Sequence, residues 1–278
     1  MKWITAFAVL IVCFSSHVFA TELQDIREKG ALRVAIYKDF PPYSYTDQGK
    51  SKGIDVELGR ALAQGLGVNV DYMWITADES MSDDLRNAVW RGHYLGGGTA
   101  DVMLRVPYDL VYAEKQPRVR FAAPYAHEQM MIVFDRTQIP AVHQLRILKN
   151  HKVGAEIDSL GSIYLSSIFE GELTPSLLHY LDFIEGVNAF KSGQIAALVG
   201  MRGQLEGQLG TLAENWTLQA LEMRGFNSQW DIGVAVKADH TELAQQLSEI
   251  VADLRKNGQL KQWFSEYGLT YTEPSAVN

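Results

Sequence analysis

Apolar and polar positions follow two rhythms along this chain, one suited to strands and one to helices. Ala31-Leu-Arg-Val-Ala-Ile36 is an apolar run with β-branched members, and it stops at Pro41-Pro42, where two prolines cannot continue a hydrogen-bonded ladder. Positions 54, 56, 58, 61, 62 and 66 are apolar next, a spacing that lines one side of a helix over 54–66. Gly65 and Gly67 mark its end. Val68 to Trp74 reads as a strand, Met81 to Arg91 as a helix with Leu85, Val89 and Trp90 inward, and Asp101 to Val106 as a strand. The pattern then restarts. Strands are predicted over 130–134, 153–156, 195–199 and 232–236, with helices over 160–169 and 184–191 between them. Leu243, Leu247, Ile250, Val251 and Leu254 share one face of a helix over 243–255, closed by Gly258. A last helix covers 260–267, and the polar tail from Thr270 is expected to fray. Strands alternating with helices predict an α/β protein with parallel sheets, in two successive blocks.

The first 20 residues stand apart from this pattern. Lys2 is followed by an apolar run from Ile4 to Phe14, and Val18-Phe-Ala20 has the small-x-small form of a cleavage site. This predicts a secretory signal peptide over 1–20, too short for a permanent membrane anchor, and a mature chain beginning at Thr21 in the periplasm. The single cysteine, Cys13, leaves with it, so neither a disulfide nor a cysteine metal site is expected afterwards. An exported domain without such staples must rely on its core. The net charge of −8 is unsuited to nucleic acid, whose phosphates demand a basic surface. The seven histidines are scattered without metal-ligand spacing, and no cofactor is expected.

Several pieces, in their order, resemble the family-3 periplasmic solute-binding proteins, the amino-acid-binding type that feeds membrane ABC permeases. They are Leu32-Arg-Val-Ala-Ile36, Phe40-Pro-Pro-Tyr43, Gly53-Ile-Asp-Val-Glu-Leu-Gly-Arg-Ala-Leu62 and Ala100-Asp-Val-Met103. Phe121-Ala-Ala-Pro-Tyr125, Gly193-Gln-Ile-Ala-Ala-Leu198 and Lys256-Asn-Gly-Gln-Leu-Lys-Gln-Trp-Phe264 complete the set. The resemblance implies a type II periplasmic-binding-protein fold: two lobes, each a mixed sheet flanked by helices, joined by two crossings. One lobe would be 21–125 plus 227–278, the other 126–226. It implies capture of a small-molecule ligand in the cleft between them, and no catalysis. A weaker likeness, in Trp90-Arg-Gly-His93 and in Ala100 to Val106, is to accessory proteins of quinoprotein alcohol dehydrogenases, whose partner would be a periplasmic dehydrogenase. A few relatives are dehydratases with a cleft carboxylate, which keeps a cleft enzyme as a further alternative.

Ligands of open α/β sheets sit outside the carboxyl ends of strands. Tyr37 to Tyr45 and Arg105 to Asp109 stand at such ends. Tyr37 and Phe40 are the aromatic candidates for stacking on a ligand. The resemblance implies a first-lobe arginine forked onto a carboxylate and a second-lobe aspartate receiving an ammonium group. Counting back from Phe121 places the first on Lys115, with Arg118 and Arg120 as shifted alternatives. The second would follow Leu198, where Gly200-Met-Arg202 stands instead. Arg105 and Tyr108 occupy positions usually held by small hydroxyl residues. Arg105 and Arg202 facing each other across the cleft would suit an anionic ligand without an ammonium group; the bland alternative makes both arginines salt bridges of the cleft rim. Ser159, at a helix start, is a binding candidate because helix amino termini attract anions, and Asp158 or Ser159 is the predicted cap. Glu156 is placed to line the cleft. Gly96-Gly-Gly98 is no phosphate loop, since no Gly-Lys-Ser/Thr follows and a strand comes next. It reads as a structural turn, and Trp230 as core packing near the second crossing.

Overall fold

The two rhythms become helices packed on a mixed sheet. The computed structural model describes residues 22–277, so the signal peptide predicted over 1–20 and Cys13 lie outside the described residues. α1 (Glu22–Lys29) leads into β1 (Ala31–Tyr37), the hairpin β2 (Tyr45–Asp47) and β3 (Lys50–Lys52), and α2 (Ile54–Gly65). β4 (Asn69–Ile75), α3 (Met81–Leu85), β5 (Val102–Tyr108) and α4 (Leu110–Glu114) follow. β6 (Val119–Asp135) is the longest strand. After it come β7 (Val153–Glu156), α5 (Leu160–Ser167), β8 (Leu177–Tyr180), α6 (Phe183–Lys191), β9 (Ala197–Met201), α7 (Arg202–Leu209) and β10 (Trp216–Ala220). β11 (Gln229–Lys237), α8 (Thr241–Lys256) and α9 (Gln259–Glu266) complete the order.

Strands neighbour one another in the order β4-β1-β5-β11-β6-β9-β7-β8, with β10 also on β6. β1 pairs in parallel with β4 and β5, and β7 in parallel with β8 and β9. The mixed sheets that the resemblance implies arise at β11 and β6, where antiparallel pairs join the parallel ones. β11 runs antiparallel to both β5 and β6, and β6 antiparallel to β9 and β10. β6 serves two halves in turn: residues 119–129 pair with β11, and 130–135 pair with β9 and β10.

The buried apolar residues divide the same way. Two clusters use residues 23–126 and 232–269, one under α1, α2, α8 and α9, the other under α3 and the turn after it. Two more use only residues 130–223. Trp230, half-buried at the start of β11, packs against both groups. The mixed α/β architecture is that of a type II periplasmic binding protein.

Gly233 sets the local geometry where the halves join. A Cβ there would stand 2.8 Å from the Ala122 carbonyl oxygen. Both neighbouring strands bulge opposite it: the register slips between Gly233 and Ala235 on β5, and between Ile232 and Val234 on β6. Arg105 and Ala123 take up the slips with φ of 58° and 46°. A β-bulge re-aims side chains, and here it directs Arg105 and Tyr125 to the same buried carboxylate.

The structure departs from the sequence reading in other places. The helix predicted over 81–91 is α up to Leu85 and then a π-turn over Arg86–Trp90. The tail from Thr270, expected to fray, is tied down. Thr272 accepts the His127 amide at 3.0 Å, and Asp231 accepts the Ser275 and Ala276 amides at 2.9 and 2.8 Å.

Candidate functional site

The seam between the halves is built from the loop after β1, the β5 bulge, the middle of β6 and the glycine face of α7. The loop folds back on itself, with the Phe40 amide donating to Ser44 at 2.8 Å and the Tyr43 and Ser44 amides donating to Phe40 at 2.9 Å. The Asp55 amide then donates to the Tyr43 carbonyl at 2.9 Å, which fixes the loop to the start of α2. This fully buries Tyr43 and leaves Phe40 partly exposed beside it, ring centres 5.2 Å apart.

Tyr43 crosses the seam. Its hydroxyl donates to Glu128 of β6, and its ring lies against α7, where a Cβ on Gly203 would be 2.0 Å from the hydroxyl oxygen. One turn on, a Cβ at Gly207 would be 2.8 Å from Pro42 Cγ. Two glycines four apart therefore give α7 a bare stripe on which the Pro42-Tyr43 loop is seated.

Beneath Tyr43 lies a buried ionic cluster. Arg105 is 6 % exposed and pairs through Nε with Asp55 at 3.2 Å, while its guanidinium lies 3.1 Å from the centre of the Tyr43 ring. The Tyr125 hydroxyl donates to the other Asp55 oxygen at 2.9 Å. Burial alone would lower the Arg105 pKa; Asp55 first, and then Tyr43, overturn this and hold it above the ordinary arginine value. Burial pushes the Asp55 carboxyl up, against the pull of Arg105 and of the Tyr125 hydroxyl. Burial also keeps Tyr43 protonated, reinforced by the Glu128 carboxylate.

Each residue singled out from sequence has a definite place. Phe40 borders the seam. Tyr37 stands 6.0 Å from Phe40, ring to ring, and its hydroxyl donates to Asp84 at 2.7 Å. Arg105 is held by Asp55 under Tyr43. Arg202 begins α7, donating to the Gln129 side chain and, at 3.0 Å, to the Thr272 hydroxyl. Both guanidiniums thus have protein partners. α2 supplies the partner of Arg105, and β6 and the C-terminal segment supply those of Arg202. Tyr108 lies over Gly233 and lines a small cavity of 270 Å³ with Asp109, Leu110 and Phe121. Lys115 is exposed at the end of α4, away from the buried cluster. Arg118 lies over Trp90 at 5.9 Å, and Arg120 donates to the Ala238 carbonyl at 3.3 Å. Ser159 caps α5, accepting the Ser162 amide at 3.2 Å and donating to the Glu156 carbonyl at 2.7 Å. Glu156 is half-buried; burial raises its pKa against a hydrogen bond from Gln204 of α7.

Sequence reasoning missed Asp55, Glu128, Gly203 and Gly207. An acid inside the apolar stripe at 54–58 and the Gly203-x-x-x-Gly207 spacing are visible in sequence, but their partners lie far along the chain. Among the described residues, no group of three or more His, Cys, Asp or Glu is arranged to hold a metal ion, and no helix is long and apolar enough to cross a membrane.

Residues 32–89 match the model of the bacterial extracellular solute-binding proteins, family 3. The L-cystine-binding protein TcyJ of Escherichia coli is 22 % identical over 262 residues, covering 92 % of this chain and 91 % of that protein. The cyclohexadienyl dehydratase of Pseudomonas aeruginosa is 37 % identical over a shorter stretch of 87 residues, 29 % of this chain and 32 % of the enzyme. Among solved structures, an ancestral cationic amino acid solute binding protein superposes with a TM-score of 0.70 at 20 % identity, covering 88 % of this chain and 99 % of that one. The family-3 match thus lies in residues 32–89, and the likeness to the solved structure is one of fold.

Proposed function

We propose that the protein captures a small solute between its two halves in the periplasm and presents it to a membrane ABC permease. The halves are residues 21–125 with 227–278, and 126–226. One observation carries the reading: two separately cored halves share β6 and β11, and the strand-end loop 40–43 of one is seated against α7 of the other. A solute that touches both halves stabilises the closed form only by its differential affinity for closed over open. The relatives named for L-cystine and for cationic amino acids support the receptor reading and make amino acids the first comparators.

The proposed solute is an anion without an ammonium group. Met201 ends β9, so no carboxylate stands at that position to receive an ammonium ion. Because Arg105 and Arg202 already have partners, the anion is assigned to the amino terminus of α5 beside Ser159, with Phe40 and Tyr37 against its apolar part.

Calorimetry on the mature protein tests this with amino acids, L-cystine included, set against simple organic acids. Saturable binding of an organic acid with no amino-acid binding is expected. Tight amino-acid binding overturns the anionic part and leaves the receptor; no binding by any solute, with an unmoved melting temperature, overturns both. A ligand at 100 times its dissociation constant stabilises the folded state by about 2.7 kcal/mol, which a thermal-shift screen detects. Copurification with a dehydrogenase would replace the permease as partner. The dehydratase likeness makes a cleft enzyme the second reading; mass spectrometry of each bound solute before and after incubation separates the two, since a receptor returns it unchanged.

A further inference from the structure

The C-terminal segment touches both halves, and its two sets of contacts differ in kind. Leu269 and the Tyr271 ring pack on the core of the first half, with Tyr271 5.1 Å from Phe264, ring to ring. The Tyr271 hydroxyl donates to the Tyr125 carbonyl at 3.1 Å, and the Thr272 carbonyl accepts the His127 amide at 3.0 Å. Farther on, Asp231 accepts the Ser275 and Ala276 amides at 2.9 and 2.8 Å. These contacts root the segment in the first half and in the strands that the halves share.

Thr270 and Thr272 alternate with Leu269 and Tyr271 and reach the second half instead. The Thr270 amide donates to Glu206 at 2.7 Å, and the Thr272 hydroxyl accepts from Arg202 at 3.0 Å. Each is a single hydrogen bond to a charged group on α7, and Thr270 itself is exposed. Such bonds break more readily than the packed root.

Arg202 and Glu206 stand four positions apart on α7, where opposite charges on a helix attract each other. Among the described residues they form no ion pair together. Arg202 serves Thr272 and Gln129, and Glu206 serves Thr270. With the segment lifted off, the two side chains are free to meet, so the charges that lose the tail gain each other. The neighbouring stripe of α7, Gly203 and Gly207, seats Pro42 and Tyr43 of the first half. α7 is thus held on two adjoining stripes, by packing on one and by exchangeable polar bonds on the other.

We propose that the C-terminal segment is a latch that holds the halves closed with no solute bound, gripping α7 through Thr270 and Thr272, and that in the open form Arg202 and Glu206 pair with each other. Exchanging one set of polar partners for another keeps the two forms close in free energy, so a solute of modest differential affinity moves the balance. The latch presupposes the two-half reading and no particular solute.

Spin labels test it. Cys13 falls within the signal peptide predicted over 1–20, so in a chain beginning at Thr21 the exposed positions Glu114→Cys in the first half and Glu185→Cys in the second carry the only thiols. Their separation, measured by double electron–electron resonance without solute, is expected to be mainly one short distance. Glu206→Ala removes the acceptor of Thr270, and Thr272→Val removes that of Arg202. Each is expected to raise the ratio of long to short distances about tenfold, the size of one hydrogen bond to a charged group. Glu206→Gln keeps an acceptor oxygen for Thr270 but cannot pair with Arg202 as an ion, so it is expected to stay closed. Circular dichroism checks that each variant is folded. The latch is overturned if long distances dominate in the unmutated protein, if either Glu206→Ala or Thr272→Val leaves the distribution unchanged, or if Glu206→Gln opens the protein as Glu206→Ala does. A protein that shows the expected distances but binds no solute loses the receptor reading and keeps the latch; one that binds a solute and rests open loses the latch alone.

Discussion

Arg105 has a backbone conformation that few non-glycine residues adopt, and its charge is buried. Both costs are met by one partner, Asp55, fifty positions earlier, with Tyr43 and Tyr125 completing the shell. Asp55→Ala is therefore expected to destabilise the protein by about 3–5 kcal/mol, because it strands a buried guanidinium. Asp55→Ala with Arg105→Met should lose less than Asp55→Ala alone, and a double-mutant cycle by urea unfolding checks the coupling. Glu156 offers a pH test. Its carboxyl is raised by burial, so the folded chain holds that proton more tightly than the unfolded chain. Protonated Glu156 then supports the fold below the ordinary glutamate value of about 4.3, and that support is lost as pH rises through the raised value. Glu156→Gln is expected to be more stable than the native protein at pH 7, with the difference closing by about pH 4 in parallel denaturant titrations. Arg105, Tyr37 and Ser159 stood out in the sequence through their types and places at element ends. Asp55 and Glu128 did not, because an acid's role depends on which charge the fold brings to it.

At the scale of elements, long periodic segments were legible. The strands at 31–36, 153–156 and 232–236 and the helices at 54–66, 184–191 and 243–255 stand in the structure with small shifts at their ends. α7 was not foreseen. Arg202-Gly-Gln-Leu-Glu-Gly-Gln-Leu209 has two glycines in eight residues and a weak apolar face, so local propensity argues against a helix. Packing overrides it, since those glycines are where Pro42 and Tyr43 are seated. The front of β6 was missed for a similar reason: Ala122, Ala123 and Pro124 give little strand signal, and the pairing with β11 makes it a strand. Gly203→Ala separates the two influences. In an unpacked helix, alanine for glycine gains about 1 kcal/mol. Here the added Cβ would overlap the Tyr43 hydroxyl, and overpacking costs about 1–3 kcal/mol, so a net loss is expected in thermal unfolding. A gain in stability would show that α7 and the loop do not press together.

Across the whole molecule, the C-terminal segment ties the halves to the strands they share. The Thr270 amide donates to Glu206 of α7 at 2.7 Å, and Arg202 donates to Thr272. From the same segment the Tyr271 hydroxyl reaches the Tyr125 carbonyl at 3.1 Å, and the amides of Ser275 and Ala276 reach Asp231, which also holds His127 at 2.7 Å. Such a strap resists separation of the halves, each hydrogen bond contributing about 1 kcal/mol. Removing residues 270–278 should leave the circular dichroism spectrum unchanged while increasing the radius of gyration in small-angle scattering and lowering the melting temperature by several degrees. An unchanged radius of gyration would mean that the loop against α7 holds the halves without it.

By itself the sequence determined the alternation of strands and helices, the restart of that pattern halfway along, and the clustering of aromatic and charged residues at strand ends. These follow from hydrophobic periodicity and turn chemistry, which act over a few residues and are written where they act. Only the tertiary structure decided the antiparallel course of β11, the bulges opposite Gly233, the partners of Arg105 and Arg202, the bare stripe of α7 and the docking of the tail. Each depends on groups tens to more than a hundred positions apart. Whether a buried charge is matched, or a glycine is needed for clearance, is settled by what the folded chain places against it.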